Sequence, residues 1–334
     1  MFNKKLYNTD YHHIDLSQYS FLITGGAGFI GSNLVEYLLR YNAGHVRVLD
    51  NLSNGYFDNI RDFLDLPNFE FIEGDIRNLE TCRIAMEDIH FLSHQAALGS
   101  VPRSIKDPIT TNEVNVSGFL NIMLAAQESN SLKRMVYAAS SSTYGDSIKL
   151  PKVEGHEGSP LSPYAVTKVV NELYADVFSK VFSFHTIGLR YFNVFGPKQN
   201  PLNPYAAVIP VFCRDFIKGT VPVINGDGET SRDFTFVENV VQANIKALFI
   251  DKLDMHDVFN VAYGDQISLN CMIKALQAIS GNKIYPEYGP ERPGDVRHSK
   301  ASISKITKKL GYKPTHDFYS GLALVYRWYL DKKN

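Results

Sequence analysis

An apolar run from Tyr19 to Thr24 leads straight into Gly25-Gly26-Ala27-Gly28-Phe29-Ile30-Gly31. Phe29, Ile30, Leu34, Leu38 and Leu39 then follow helical spacing. A buried strand turning at once into a helix, with glycines three apart, allows a sharp reversal and a close approach of backbone to a pyrophosphate. The new helix then offers unpaired N–H groups and the positive end of its dipole. A bare glycine pattern is equally compatible with a tight turn that binds nothing. The second strand, His45 to Leu49, argues against that, because it ends in Asp50, about twenty residues past Gly31, where a carboxylate would hold the adenosine ribose. The residues after it, Asn51-Leu52-Ser53-Asn54-Gly55, include no Arg or Lys to receive a 2′-phosphate. The expected dinucleotide is NAD rather than NADP.

Strand-like runs continue at Phe69 to Glu73, Phe91 to Gln95, Met135 to Ala139 and Phe184 to Arg190, with helical patterns near 79–88, 109–130 and 163–180 between them. Such alternation predicts a Rossmann-type α/β fold, a doubly wound parallel sheet with ligands beyond the strand carboxyl ends. From about 195 the texture changes to a Pro- and Gly-rich stretch, and helical patterns return near 237–250, 268–280, 301–310 and 317–332. A short strand, Val258 to Val261, is a candidate addition to the main sheet. The expected organisation is an NAD-binding domain of 1–194 plus about 226–264, and a smaller C-terminal α/β substrate lobe of about 195–225 and 265–334.

One helical turn in this framework carries chemistry. Tyr164 and Lys168 are four apart and share a helix face, with Ser162 suited to cap that helix and Pro163 to its first position. A cation one turn from a phenol favours phenolate and lowers its pKa towards the range for acid–base work. Tyr–Lys pairs at this spacing are common by chance; the glycine turn upstream raises this one above the background.

The formal net charge of −1 gives no electrostatic reason to expect nucleic acid or an anionic membrane surface. The cysteines, Cys82, Cys213 and Cys271, are odd in number and lack metal-ligand spacing, which fits a reduced compartment and predicts no metal site. The first eighteen residues have no apolar core of a signal peptide, and no apolar run is long enough to span a bilayer. A cytoplasmic, soluble protein is expected.

Together these residues resemble the extended short-chain dehydrogenase/reductase family from about 19 to 330, and within it the nucleotide-sugar 4-epimerases. The segments Gln95 to Ser104, Ala139 to Asp146, Ser162 to Lys168 and Leu189 to Gly196 look like the bacterial UDP-N-acetylglucosamine 4-epimerase branch used in surface-polysaccharide synthesis. The resemblance implies that Gly25, Gly28, Phe29, Ile30 and Gly31 cradle the pyrophosphate and that Asp50 with Asn51 holds ribose. It places Asp75 and Ile76 at adenine, Gln95, Ala96, Ala97 and Asn115 along the cofactor channel, and Tyr191 and Val194 at the nicotinamide end. Asn193 and Gln199 would contact the sugar-diphosphate, while Ala207, Val208, Val223 and Asn225 would surround uridine. Arg232 and Arg292 would bind phosphate and Asp295 ribose. Gly99, Ser100, Arg103, Ser141, Ser142 and Ser299 would complete the sugar pocket. Taken alone, a lone Asp after a strand is more often a cap, and an Arg is usually solvated.

The implied reaction is C4 epimerisation through a 4-keto sugar with NAD tightly bound and regenerated. Tyr164 would act as base, Lys168 would lower its pKa, and Ser140 would shorten the proton path. Three consecutive serines at a strand end can also be a merely polar terminus. A 4,6-dehydratase would need a further acid and base, and related dehydratases carry Asp-Glu after the catalytic Thr, where this chain has Ser141-Ser142-Thr143. A net dehydrogenase and a cofactor-sensing regulatory domain are the remaining rivals. The small Ser299 favours an N-acetylated sugar; UDP-glucose stays open, and Arg103 or Arg297 keeps a uronic acid open. The family implies a homodimer through a four-helix bundle of the helices near 109–130 and 163–180.

Overall fold

A computed structural model of the protein describes residues 5–202, 206–251, 254–291 and 297–333. Strand β1 (Ser20–Thr24) sends Phe21 and Ile23 to one face and Leu22 to the other, so both of its faces are buried. It passes through the glycine turn into helix α1 (Phe29–Arg40) and then β2 (His45–Asp50). The chain continues through β3 (Phe69–Glu73), α2 (Leu79–Met86), β4 (Phe91–His94), α3 (Val101–Lys106), α4 (Pro108–Asn112), α5 (Phe119–Glu128) and β5 (Arg134–Ser140). Helix α6 (Pro163–Phe182) begins at Ser162, whose side chain accepts from Ala165 N, as the sequence predicts. Strand β6 (Thr186–Tyr191) and the short β7 (Val194–Phe195) follow.

The remainder comprises α7 (Val208–Lys218), β8 (Val223–Asn225), β9 (Ser231–Arg232), β10 (Thr235–Phe236), α8 (Val237–Leu248), β11 (His256–Val261), β12 (Ile267–Ser268), α9 (Leu269–Ser280), β13 (Glu287–Gly289), α10 (Ser304–Leu310) and α11 (Phe318–Lys333). The main sheet has the order β11-β6-β5-β4-β1-β2-β3 and is parallel throughout. Chain direction across the sheet reverses between β1 and β4, the place where a doubly wound fold opens a ligand crevice. One apolar core lies between the sheet and α1 and α8, and a second between the sheet and α2, α5 and α6. Three short pairings (β10–β7, β12–β9, β13–β8) lie outside the main sheet.

Two helical patterns differ from expectation. The stretch expected as one helix over 109–130 is α4 and α5 joined by a π-helical segment, Glu113–Gly118. A Cβ on Gly118 would lie 2.7 Å from Ile76, so the chain runs close to the adenine-side wall at this point. Helix α3 was not expected; six residues are too few for a periodic signal, but Ser100 caps it and Pro102 suits its first turn. Among the described residues, no helix is long and apolar enough to cross a membrane.

Candidate active site

The turn after β1 is built so closely that side chains are excluded from it. Gly25 has φ +67°, and a Cβ there would lie 2.7 Å from Ala96 N; a Cβ on Gly31 would lie 2.2 Å from the Gly25 carbonyl oxygen. The amides at the start of α1 therefore open onto a cleft of about 410 Å3, lined by Gly25, Gly28, Phe29, Ile30 and Gly31. Asp50, Asn51, Asp75, Ile76, Gln95, Ala96 and Ala97 line the same cleft. The buried Asp50 carboxylate accepts from Ala27 N (3.0 Å) and Leu52 N (2.9 Å). Burial raises its pKa, and those amide bonds oppose the rise. A Cβ on Gly55 would lie 2.9 Å from both Asp50 oxygens, so glycine there leaves them accessible to a ligand. Asn51 donates to Asp75 (2.9 Å), and Arg77 beside Asp75 holds that carboxyl down to about 2.

At the other end of the cleft stand Ser140, Tyr164 and Lys168. Ser140 ends β5, and its Oγ accepts from both Ser142 N (3.1 Å) and Ser142 Oγ (2.9 Å). Its own proton is thus left for Tyr164, whose phenolate it favours. Lys168 Nζ donates to the Ala138 carbonyl (2.7 Å) and lies 6.0 Å from the centre of the Tyr164 ring. The expectation that Lys168 pulls the Tyr164 pKa down needs correction: desolvation raises it, and the group that opposes the rise is Ser140. The ammonium is directed to a carbonyl, and is itself brought down to about 8 by burial.

Tyr191 and Val194 line the cleft. The Tyr191 hydroxyl donates to Gln95 Oε1 (3.1 Å) and accepts from Asn244 Nδ2 (2.9 Å), which ties β6, β4 and α8 together. Asn115 does not line it. Buried behind the wall, Asn115 Oδ1 accepts from Leu98 N (2.8 Å), and its Nδ2 donates to Leu98 O (3.1 Å) and Thr167 Oγ1 (3.2 Å). It fixes the 95–99 loop against α6.

A second cleft, of about 340 Å3, opens beside α7, β8 and β9. Ala207, Val208, Val223, Asn225 and Arg232 line it, and Asn193 and Val194 belong to both clefts. Asn193 sits at φ +35°, its side chain donating to Asp233 O (3.3 Å). The buried Asp233 carboxylate in turn accepts from Tyr263, Gly264 and Ala301 amides, and burial pushes its pKa up to about 6.

The other residues expected at the sugar have varied settings. Gly99 and Arg103 line the first cleft, and Arg103 donates to Asn54 Oδ1 (2.9 Å), in the loop that follows Asp50. Ser100 is taken up capping α3. Ser141 and Ser142 form the 3-10 turn after β5, and Gln199 donates to the Val194 carbonyl (3.2 Å). Ser299 pairs through its backbone with Ser231 O (3.1 Å) and lines neither cleft. Arg292 and Asp295 lie outside the described residues. The sequence reading missed Leu98, Ser53, Asn54, Gly55 and Val114 in the first cleft and Thr230, Phe234 and Leu269 in the second. Only Gly55, beside Asp50, had a local signal.

Residues 21–262 match the model of the NAD dependent epimerase/dehydratase family. The chain belongs to this family. A UDP-glucose 4-epimerase of Mycolicibacterium smegmatis is 32% identical over 312 residues, 93% of this chain and 98% of the relative. UDP-glucuronate 4-epimerase 3 of Arabidopsis thaliana is 30% identical over 95% of this chain and 77% of the relative. The solved UDP-N-acetylglucosamine 4-epimerase from Methanobrevibacter ruminantium M1, in complex with UDP-N-acetylmuramic acid, superposes with a TM-score of 0.88 at 36% identity, covering 94% of this chain and 99% of that one. For a member of an NAD-dependent family, the glycine cradle and the accessible Asp50 oxygens make the first cleft a fit for the dinucleotide. Arg103 brings to the loop that follows Asp50 a cation that the local sequence lacks, but the Asp50 carboxylate would repel a 2′-phosphate there.

Proposed function

We propose that the protein is a UDP-hexose 4-epimerase, interconverting UDP-N-acetylglucosamine and UDP-N-acetylgalactosamine through a 4-keto sugar. The observation that carries this reading is where the clefts meet. Asn193 and Val194 border both, and β5–β6 register sets Ser140 opposite Tyr191, two residues before Asn193. A nucleotide in the second cleft can therefore reach its sugar to Ser140 and Tyr164.

The glycine turn, Asp50 and the 95–97 strand end would hold NAD, which when bound would supply the hydride acceptor and donor for C4. Tyr164 takes the proton of the 4-hydroxyl and later returns one. Ser140 donates to the phenolate, and Lys168 adds a positive charge beneath it. Arg232, on the wall of the second cleft, suits the diphosphate.

Dehydration is disfavoured by what surrounds Tyr164. Among the described residues, the carboxylates lining the first cleft are Asp50 and Asp75 at the adenosine end, and the second cleft has none. Asp146, the first acid after Ser140, accepts from Ser159 N (2.7 Å) instead. The N-acetylated substrate is supported by the Methanobrevibacter relative; Ser299, which lines neither cleft, does not bear on it. A uronate is less well served, since Arg103 is engaged by Asn54 and Arg297 by Asp227 (2.5 Å).

The protein acts as a homodimer in this proposal. Helix α6 exposes Val166, Leu173, Val177 and Val181 along one stripe, and Ile105 and Ile109 of α3 and α4 are exposed as well. Proton NMR of purified protein incubated with UDP-N-acetylglucosamine, without added NAD, tests the activity. The galacto isomer is expected. A 4-keto-6-deoxy sugar would make it a dehydratase, and turnover of UDP-glucose or UDP-glucuronate alone would overturn the substrate assignment.

A further inference from the structure

Arg190 precedes Tyr191 on β6 and, by strand alternation, faces α6 rather than α8. It is 5% exposed. Its Nε and Nη2 donate to the two carboxylate oxygens of Glu172 (2.8 and 2.7 Å), Nη1 donates to Glu157, and the guanidinium stands 5.0 Å from the centre of the Tyr144 ring. One side chain thus clamps the helix that carries Tyr164 and Lys168, the turn that follows Ser140, and the 145–161 loop. Glu172 is one turn beyond Lys168 on α6.

The charges explain why one arginine takes two carboxylates. A lone Arg190–Glu172 pair would be neutral and leave the buried Lys168 ammonium without a counter-charge. Glu157 supplies the second negative charge, so that two cations and two carboxylates balance. We propose that Glu172, held in place by Arg190, which Glu157 also holds, is a positioning residue for the reaction, its carboxylate one helical turn from Lys168 being the counter-charge that keeps that ammonium charged beside Tyr164. This rests on the reading of Tyr164 and Lys168 as the acid–base pair.

The groups facing Lys168 are Tyr164 and Glu172 on its own helix and His94 from β4. His94 is neutral, its pKa pushed down to about 3 by burial and by the Lys168 charge. Facing Glu172 are Arg190 and Tyr137, the latter kept neutral by burial. Burial brings Lys168 down to about 8, and Glu172 opposes that shift. Removing the Glu172 charge favours the neutral amine, so Lys168 loses its proton at lower pH.

The test compares wild type, Glu172→Gln and Glu172→Asp. Acetylation of Lys168 by acetic anhydride is followed against pH by peptide mass spectrometry, alongside kcat and KM over the same range. In Glu172→Gln the Lys168 titration is expected to move down by about one pH unit, roughly a tenfold change in the fraction charged at alkaline pH. The alkaline limb of kcat should follow, KM should hold within about twofold, and Glu172→Asp should restore most of the shift. An unmoved Lys168 titration with uniformly lowered kcat would make Glu172 merely structural and overturn the proposal. If Glu172→Gln fails to fold, Glu157→Gln should move the titration less but in the same direction, and no movement there would overturn the proposal equally. Tyr164→Phe in parallel separates the two readings: normal turnover in that variant would refute the acid–base assignment whatever Lys168 does.

Discussion

Tyr164 sits under opposed influences, and their balance sets its chemistry. Burial raises its pKa, and the Ser140 hydroxyl, with both acceptor sites filled by Ser142, donates to it and favours phenolate. Ser140→Ala should therefore raise the Tyr164 pKa and move the acid limb of the kcat–pH profile to higher pH; a limb that stayed in place would remove Ser140 from this role. Tyr164→Phe should lower turnover by about 10²–10⁴-fold, the usual worth of a placed acid–base group, with the melting temperature nearly unchanged. The pairing of Tyr164 with Lys168 was readable from a spacing of four in a capped helix. The direction of the Tyr164 shift was not, because spacing reports which side chains are neighbours and says nothing of how much water each has lost. Asn115 shows the same limit: a resemblance put it in the channel, whereas its amide is spent on Leu98 and Thr167.

At the scale of elements, the turn from β1 into α1 was the most readable part of the chain, because sterics leave no alternative to glycine there. Gly31→Ala tests it. The added Cβ would meet the Gly25 carbonyl at 2.2 Å and Gly26 Cα at 2.8 Å, both backbone atoms that cannot rotate away. Overpacking of this kind should cost about 1–3 kcal/mol, seen in thermal unfolding, and resident NAD released on denaturation should fall sharply. Full NAD content with wild-type stability would contradict the cradle. The break between α4 and α5 was hidden because apolar periodicity tolerates a π-turn, and the close contact of Gly118 with Ile76 exists only in the folded chain. The second cleft was equally unreadable from local pattern. Its walls come from α7, β8, β9 and α9, so only the resemblance linked Val208 to Arg232.

Across the whole molecule, the main sheet presents one cleft, the elements around α7 and β8 a second, and Asn193 and Val194 join them. The exposed stripe on α6 is the surface on which a second copy would sit, and Leu173, at 61% exposure, is near its middle. Leu173→Glu should shift sedimentation from dimer to monomer, while a monomeric wild-type protein would refute the assembly. The alternating βαβ pattern had already implied the doubly wound sheet, because a two-sided parallel sheet needs runs apolar on both faces, and it left Val258 to Val261 a candidate strand that the structure sets at the sheet edge as β11. The most direct measurement uses UDP-N-acetylglucosamine deuterated at C4, turned over in ordinary water by protein given no NAD. Because hydrogen removed from C4 stays within the active site and returns to the same carbon, the galacto product should keep its deuterium. Product carrying protium at C4 would mean exchange with solvent, and would contradict the assignment of Tyr164 to the hydroxyl proton alone.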